Sequence, residues 1–177
     1  MTFALSQRFL SQRFKFIVPF ALALVVGLPL ASPWGRAFAE DPPVINVPTD
    51  DAEMAAAIAK ARDSLPTFWA SWKKPKPSET GHALKVRFAN PTNNGEHIWM
   101  RDVKKLPNGL YSGRFDDAPV YLPGKKEGDL AEFKEADISD WMFRRNDKIV
   151  GGETIRPLLK SLPKADADAL RAQLETP

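Results

Sequence analysis

The segment Leu84-Lys85-Val86-Arg87-Phe88 alternates apolar and basic side chains, a pattern typical of a β-strand with one buried and one solvated face. Turn-forming residues follow at 90–95, and a second apolar run occupies 96–103, so the two runs predict a β-hairpin. Further short strands are predicted at 110–115, 119–122, 130–133, 138–144 and 149–150. Because the connections are short, we expect antiparallel pairing, since a parallel crossover needs a dozen or more residues.

Helices are predicted on both sides of this β-rich region. Upstream, apolar side chains recur at steps of three and four residues, at Met54, Ile58, Ala61, Leu65, Phe68 and Trp72. Pro66 should kink or restart that helix. Downstream, residues 154–173 predict one or two terminal helices. The predicted fold class is α+β, with an N-terminal amphipathic helix packed on a bent antiparallel sheet or small open barrel, and a C-terminal helix, in one domain at 50–177.

The first 39 residues have the pattern of a secretory signal peptide. They contain four basic and no acidic residues, an apolar run at 16–30, and small residues at Ala37 and Ala39. The run is shorter than a membrane span requires, so we expect cleavage after Ala39 and only transient membrane contact. Residues 40–49 contain three prolines and are interpreted as an extended tether. The expected location is the periplasm or the extracellular medium.

The composition of the exported chain excludes several functions. Removing the four basic residues of the leader from the 25 in the whole chain leaves 21 against 22 acidic residues. No cationic surplus remains for binding nucleic acid. The chain has no cysteine and two histidines, so we expect neither a metal nor another cofactor. A domain of this size can bury enough surface to fold as a monomer.

Two strings of residues are distinctive, because they contain rare amino acids in a fixed order. They are Glu96-His97-Ile98-Trp99 and Ile138-Ser139-Asp140-Trp141-Met142. With Asp51-x-Glu53-Met54, Phe68-Trp69, Gly128-Asp129 and Thr154-x-Arg156, they make residues 50–160 resemble the YegJ-like bacterial proteins, the domain of unknown function 2314. One departure is Asp117-Ala118-Pro119, where the family pattern leads us to expect Asn-x-Pro. The resemblance implies a fold and a set of recurring polar positions, but no reaction.

Three residues are candidates for catalysis: Glu96, His97 and Asp140. His97 could act as a general base, since the ordinary pKa of histidine lies near neutral pH, or it could donate a hydrogen bond within the core. Glu96 and His97 are adjacent on a strand, so their side chains should point to opposite faces. A buried Asp140 would need a cationic partner, for which Arg156 or Arg101 is expected, and such a pair could fasten the C-terminal segment to the sheet.

Trp99, Trp141 and Arg156 are candidates for ligand binding. If both tryptophans face one surface, they could line an apolar groove for a peptide or a glycan; if both face inward, they belong to the core. Three functions therefore remain open. The first is an exported, non-enzymatic domain that binds a protein, peptide or glycan. The second is a small periplasmic hydrolase that uses His97 with Asp140 or Glu96, and the third is an inhibitor that acts through an exposed apolar patch.

Overall fold

A computed structural model describes residues 2–4, 44–46, 51–90 and 95–176. Most of the predicted signal peptide and tether lies outside these residues. In the part of the chain that is described, no helix combines the length and apolar character that crossing a membrane demands.

The domain is built on an antiparallel sheet, as the short connections predict. Its six strands are β3 (Glu79–Phe88), β4 (Glu96–Lys105), β5 (Tyr111–Phe115), β6 (Leu130–Phe133), β7 (Ile138–Arg145) and β8 (Lys148–Gly151). They are arranged in the order β6-β5-β4-β3-β7-β8, and every neighbouring pair is antiparallel. Since β6 and β8 do not pair with each other, the sheet is open rather than closed into a barrel.

The strand predicted at 119–122 is wrong, because this segment belongs to a loop between β5 and β6. The amides of Val120 and Tyr121 donate to the carboxylate of Glu96, at 2.8 and 2.9 Å, instead of joining a strand ladder. Pro119 has no amide hydrogen to donate to a ladder, and a turn follows at Pro123.

Two short strands extend the sheet beyond the domain. They are β1 (Thr2–Ala4) and β2 (Val44–Asn46), and they pair with each other in antiparallel fashion. β1 also pairs with β4 in parallel, with Thr2 opposite Glu96 and Phe3 opposite His97. β1 therefore lies within the predicted leader, and β2 lies within the predicted tether.

The upstream apolar stripe forms two helices, α1 (Ala52–Asp63) and α2 (Leu65–Lys73). Asp51 caps α1, its side chain accepting a hydrogen bond from the amide of Met54 at 2.8 Å. The helices separate at Ser64. Pro66 lies in the first turn of α2, where its missing amide hydrogen costs no helical hydrogen bond.

The sheet has a hydrophobic cluster on each face. On the first face, the helix residues Ala61, Leu65 and Phe68 pack against alternate strand residues that include Leu84 and Trp141. On the second face, Ala83, Trp99, Met142 and Ile149 pack against the C-terminal segment. That segment contains α3 (Ile155–Leu158), a 3-10 turn at Leu159–Ser161 and α4 (Lys164–Gln173), so the prediction of a C-terminal helix is confirmed.

Candidate functional site

A β-bulge brings several polar side chains together on the second face. Asp140 on β7 lies opposite Lys85 on β3, whereas the next pair is Val86 with Ile138, so Ser139 is an extra residue on β7. The extra residue interrupts the alternation of β7, and both Ser139 and Asp140 contact residues of the second face. We call the resulting group the buried polar cluster; its members are Lys85, His97, Ser139, Asp140 and Thr154.

Asp140 is completely buried and holds the start of the C-terminal segment. Its Oδ1 accepts hydrogen bonds from the amides of Trp141 and Glu153, at 2.8 and 3.2 Å. Its Oδ2 accepts from both the amide and the hydroxyl of Thr154, each at 2.7 Å. Burial raises the pKa of Asp140, and the positive charge of Lys85 together with these hydrogen bonds opposes that rise. All four donors favour the ionised carboxylate.

Lys85 is also completely buried. Its Nζ donates to Thr154 Oγ1 at 3.1 Å and lies 5.1 Å from the centre of the Trp99 ring. Burial lowers the pKa of Lys85 from 10.5 to about 8, and the charges of Asp140 and Asp117 limit the fall. The Thr154 hydroxyl therefore bridges an ammonium and a carboxylate, since it accepts from Lys85 and donates to Asp140. The expectation that Lys85 lies on a solvated face is wrong.

His97 belongs to the same cluster but is held in a structural contact. Only 2% of its surface is exposed, and its Nδ1 lies 2.8 Å from the hydroxyl of Ser139. That hydroxyl donates its one hydrogen to the carbonyl of Lys85 at 3.2 Å. It therefore accepts from His97, whose Nδ1 carries the hydrogen. Burial, with the nearby charges of Lys85 and Arg87, lowers the pKa of His97 to about 3. The imidazole is therefore neutral at physiological pH.

Glu96 takes no part in this cluster. It lies on β4 next to His97, and its carboxylate accepts from the amides of the β5–β6 loop. The two neighbouring side chains contact different parts of the molecule, as their alternation predicts. Of the three candidate catalytic residues, the structure brings together His97 and Asp140, in one cluster with Lys85.

The expected ion pair between Asp140 and an arginine is wrong. The Arg156 guanidinium donates to the carbonyl of Glu175 at 3.0 Å and lies 3.4 Å from the carboxylate of Glu153. Arg101 pairs with Asp102 and Asp116. Asp140 instead accepts short hydrogen bonds from Thr154, whose backbone and hydroxyl reach the carboxylate at once. Even so, Asp140 does fasten the C-terminal segment to the sheet.

Trp99 and Trp141 belong to the hydrophobic clusters of opposite faces, so the structure does not bring them into one groove. Trp141 is buried against α1, where its Nε1 donates to the carbonyl of Ala61 at 2.9 Å. Trp99 is buried beneath the C-terminal segment, next to Lys85. Arg156 is bonded to the carbonyl of Glu175, near the end of the C-terminal segment.

Sequence reasoning missed Lys85 and Thr154 as members of the site, and it missed a second polar group around His82. His82 Nε2 lies 2.7 Å from the hydroxyl of Ser71, which donates to Glu79 at 2.8 Å. Glu79 also accepts from Arg145 at 3.2 Å. This group connects α2 to β3 and β7. Among the described residues, no three His, Cys, Asp or Glu side chains are placed to hold a metal ion.

The fold and the buried polar cluster define a small α+β domain whose C-terminal segment is fixed to a sheet by a bridged ion pair. The chain belongs to a family described as an uncharacterized protein conserved in bacteria (DUF2314), whose model matches residues 51–174.

Two relatives illustrate the family. The chain is 40% identical over 127 residues to the uncharacterized protein YegJ of Escherichia coli strain K12. That match covers 71% of this chain and 79% of YegJ. It is 30% identical over 126 residues to a putative ankyrin repeat protein of Neisseria meningitidis serogroup B. That match covers 67% of this chain and 49% of the relative, so the chain spans about half the length of that protein. No solved structure matches the chain.

Proposed function

We propose that the protein is an exported, non-enzymatic domain that binds another protein. The observation that carries this proposal is that each candidate catalytic side chain makes hydrogen bonds within the domain. Asp140 accepts four hydrogen bonds, Glu96 accepts two loop amides, and His97 is bound to Ser139.

A hydrolase that uses His97 would need this side chain to reach a substrate or a water molecule. A general base must come within hydrogen-bonding distance of the proton that it removes. His97 is buried to 98% of its surface, and Asp140 contacts Thr154 rather than the imidazole, so it does not orient His97 as the acid of a dyad would. The geometry therefore favours binding over hydrolysis.

One of the two relatives supports an interaction role. One relative is described as a putative ankyrin repeat protein. Repeat proteins of this kind build extended surfaces that bind partners. The similarity to part of such a protein supports a binding role for the present domain. The leader pattern supports export, and the near balance of 21 basic and 22 acidic residues after its removal argues against nucleic acid as the partner.

Export is tested by expressing the whole chain with a C-terminal tag in a Gram-negative host and sequencing the N-terminus of the periplasmic product. We expect a chain that begins at Glu40. An intact chain recovered from the cytosol would overturn the export part of the proposal.

Catalysis is tested with a panel of ester, phosphate ester, peptide and glycoside substrates. We expect equal background rates for the wild type and His97→Gln. Turnover that disappears in His97→Gln, but persists in His82→Gln with both variants folded, would replace the binding proposal by the hydrolase. His82 is the matched control because it is the other histidine and lies in the separate group with Ser71.

A further inference from the structure

The outer edge of β4 has two different partners along its length. One edge of β4 pairs with β3 through residues 96–100. Along the other edge, β5 pairs with the C-terminal half, from Met100 to Lys105, whereas β1 pairs with Glu96 and His97. The N-terminal half of this edge is therefore covered by Thr2–Ala4, a segment that the sequence assigns to the leader.

Export would remove this cover. Cleavage after Ala39 separates β1 from the domain, and it leaves β2 attached through the tether. The backbone N–H and C=O groups of a strand edge that lose their partner present a template for another extended chain. This step rests on the proposed export.

We propose that the outer edge of β4 at residues 96–98 is the partner-binding site of the exported domain, and that the partner contributes an extended strand that runs parallel to β4 in the place of β1. A segment of the chain itself, Thr-Phe-Ala, occupies this edge in that orientation, which favours an extended strand as the occupant. In strand addition of this kind, main-chain hydrogen bonds supply affinity and neighbouring side chains supply specificity.

The side chains around this edge hold it in shape. Glu96 is completely buried and fixes the amides of Val120 and Tyr121, while His97 is fixed by Ser139 on β7, on the far side of β3. The edge therefore needs little reordering when a strand arrives, which lowers the entropic cost of binding. The amide of Val120 is bonded to the Glu96 carboxylate, and Val120 exposes 51% of its surface, so we expect its side chain to offer an apolar contact to the incoming strand.

The other two edges of the six-stranded sheet are less suited to a partner strand. Ile149 on β8 pairs with Leu174, and its carbonyl accepts from the amide of Glu175 at 2.8 Å, so the chain end covers that edge. β6 has four residues, and the exposed Glu132 is the kind of charge that protects an edge from pairing.

The experiment compares the whole chain with residues 40–177, which retain both hydrophobic clusters, since these extend from Ala61 to Leu174. Amide hydrogen exchange is followed by NMR, and the probe is a synthetic peptide of residues 1–6, MTFALS. Within 96–98 the amide that points away from β3 is that of His97, since Trp99, two residues on, accepts from Asp116 on the outer edge. We expect the His97 amide to exchange at least tenfold faster in 40–177 than in the whole chain. The added peptide should bind 40–177 and restore this protection. The same peptide with Ala4→Pro should do neither, because the parallel register of Phe3 with His97 makes the Ala4 amide the donor to the His97 carbonyl.

A matched pair of variants locates the peptide. We expect Val120→Asp in 40–177 to weaken peptide binding at least tenfold without lowering the melting temperature. Leu130→Asp is the control, because Leu130 is exposed to a similar extent, 56%, but lies on β6. Equal protection of the His97 amide in the two chains, or peptide protection that appears at 130–133 instead, would overturn the proposal. A chain found uncleaved in cells would refute export alone, since the exchange experiment is carried out on purified chains.

Discussion

Asp140 is the residue on which the second face of the sheet depends. Its carboxylate accepts four hydrogen bonds and compensates the charge of the buried Lys85. Asp140→Asn removes the negative charge and turns an amide group toward donors. Breaking a buried pair by removing one partner typically costs about 3 to 5 kcal/mol, and we expect a loss of that size in the free energy of unfolding, measured by urea denaturation.

Two further variants check this interpretation. Asp147→Asn is the control, because Asp147 lies in the exposed turn between β7 and β8, and it should change stability by less than about 0.5 kcal/mol. Lys85→Met combined with Asp140→Asn should cost less than the sum of the two single changes, since neither charge is then left alone. Additive costs would show that Lys85 and Asp140 do not compensate each other.

Lys85 also gives the domain a pH dependence with a definite sign. The folded chain lowers the pKa of Lys85 to about 8, whereas the unfolded chain keeps it near 10.5. Between pH 8 and 10 the unfolded state therefore binds more protons than the folded state, so the contribution of Lys85 makes stability rise with pH. Urea denaturation at pH 8, 9 and 10 should show this rise in the wild type relative to Lys85→Met. Parallel pH profiles for the two proteins would contradict it.

At the scale of elements, the end of β8 depends on a glycine. Gly151 has φ +79°, and a Cβ at this position would lie 2.4 Å from the carbonyl oxygen of Trp141. Gly124 has a similar φ, +75°, but a Cβ there would meet nothing within 4 Å. Gly124→Ala should therefore cost only the backbone strain, about 1 to 2 kcal/mol. Gly151→Ala should cost clearly more or prevent folding, as measured by thermal unfolding, and equal costs would refute the close contact.

Periodicity predicts elements better than it predicts their surroundings. The alternation at 84–88 correctly predicts β3, because the period of two is a property of the strand itself. It places Lys85 in solvent, since nothing in the local pattern shows that the C-terminal segment covers the second face. It also misses the contact between His97 and Ser139, because a bulge in β7 depends on pairing with β3 and leaves no mark in the sequence.

At the scale of the whole molecule, the domain has a helical layer on each side of one sheet. The layers differ in their position along the chain: α1 and α2 precede the sheet, and the C-terminal segment follows it. The second layer supplies both apolar contacts, through residues such as Ile155 and Leu170, and the Thr154 groups that satisfy Asp140. The sheet therefore cannot bury its second face until the end of the chain has been added.

Removing the two ends of the chain should have opposite outcomes. Residues 40–177 keep both layers and should unfold in one cooperative transition. A chain that stops at Glu153 exposes Trp99 and leaves Lys85 and Asp140 without Thr154, so we expect no cooperative transition and strong binding of a hydrophobic dye. Thermal unfolding followed by circular dichroism distinguishes the two chains. Cooperative unfolding of residues 40–153 would show that one helical layer is enough, and that Thr154 does not hold the charged pair in place.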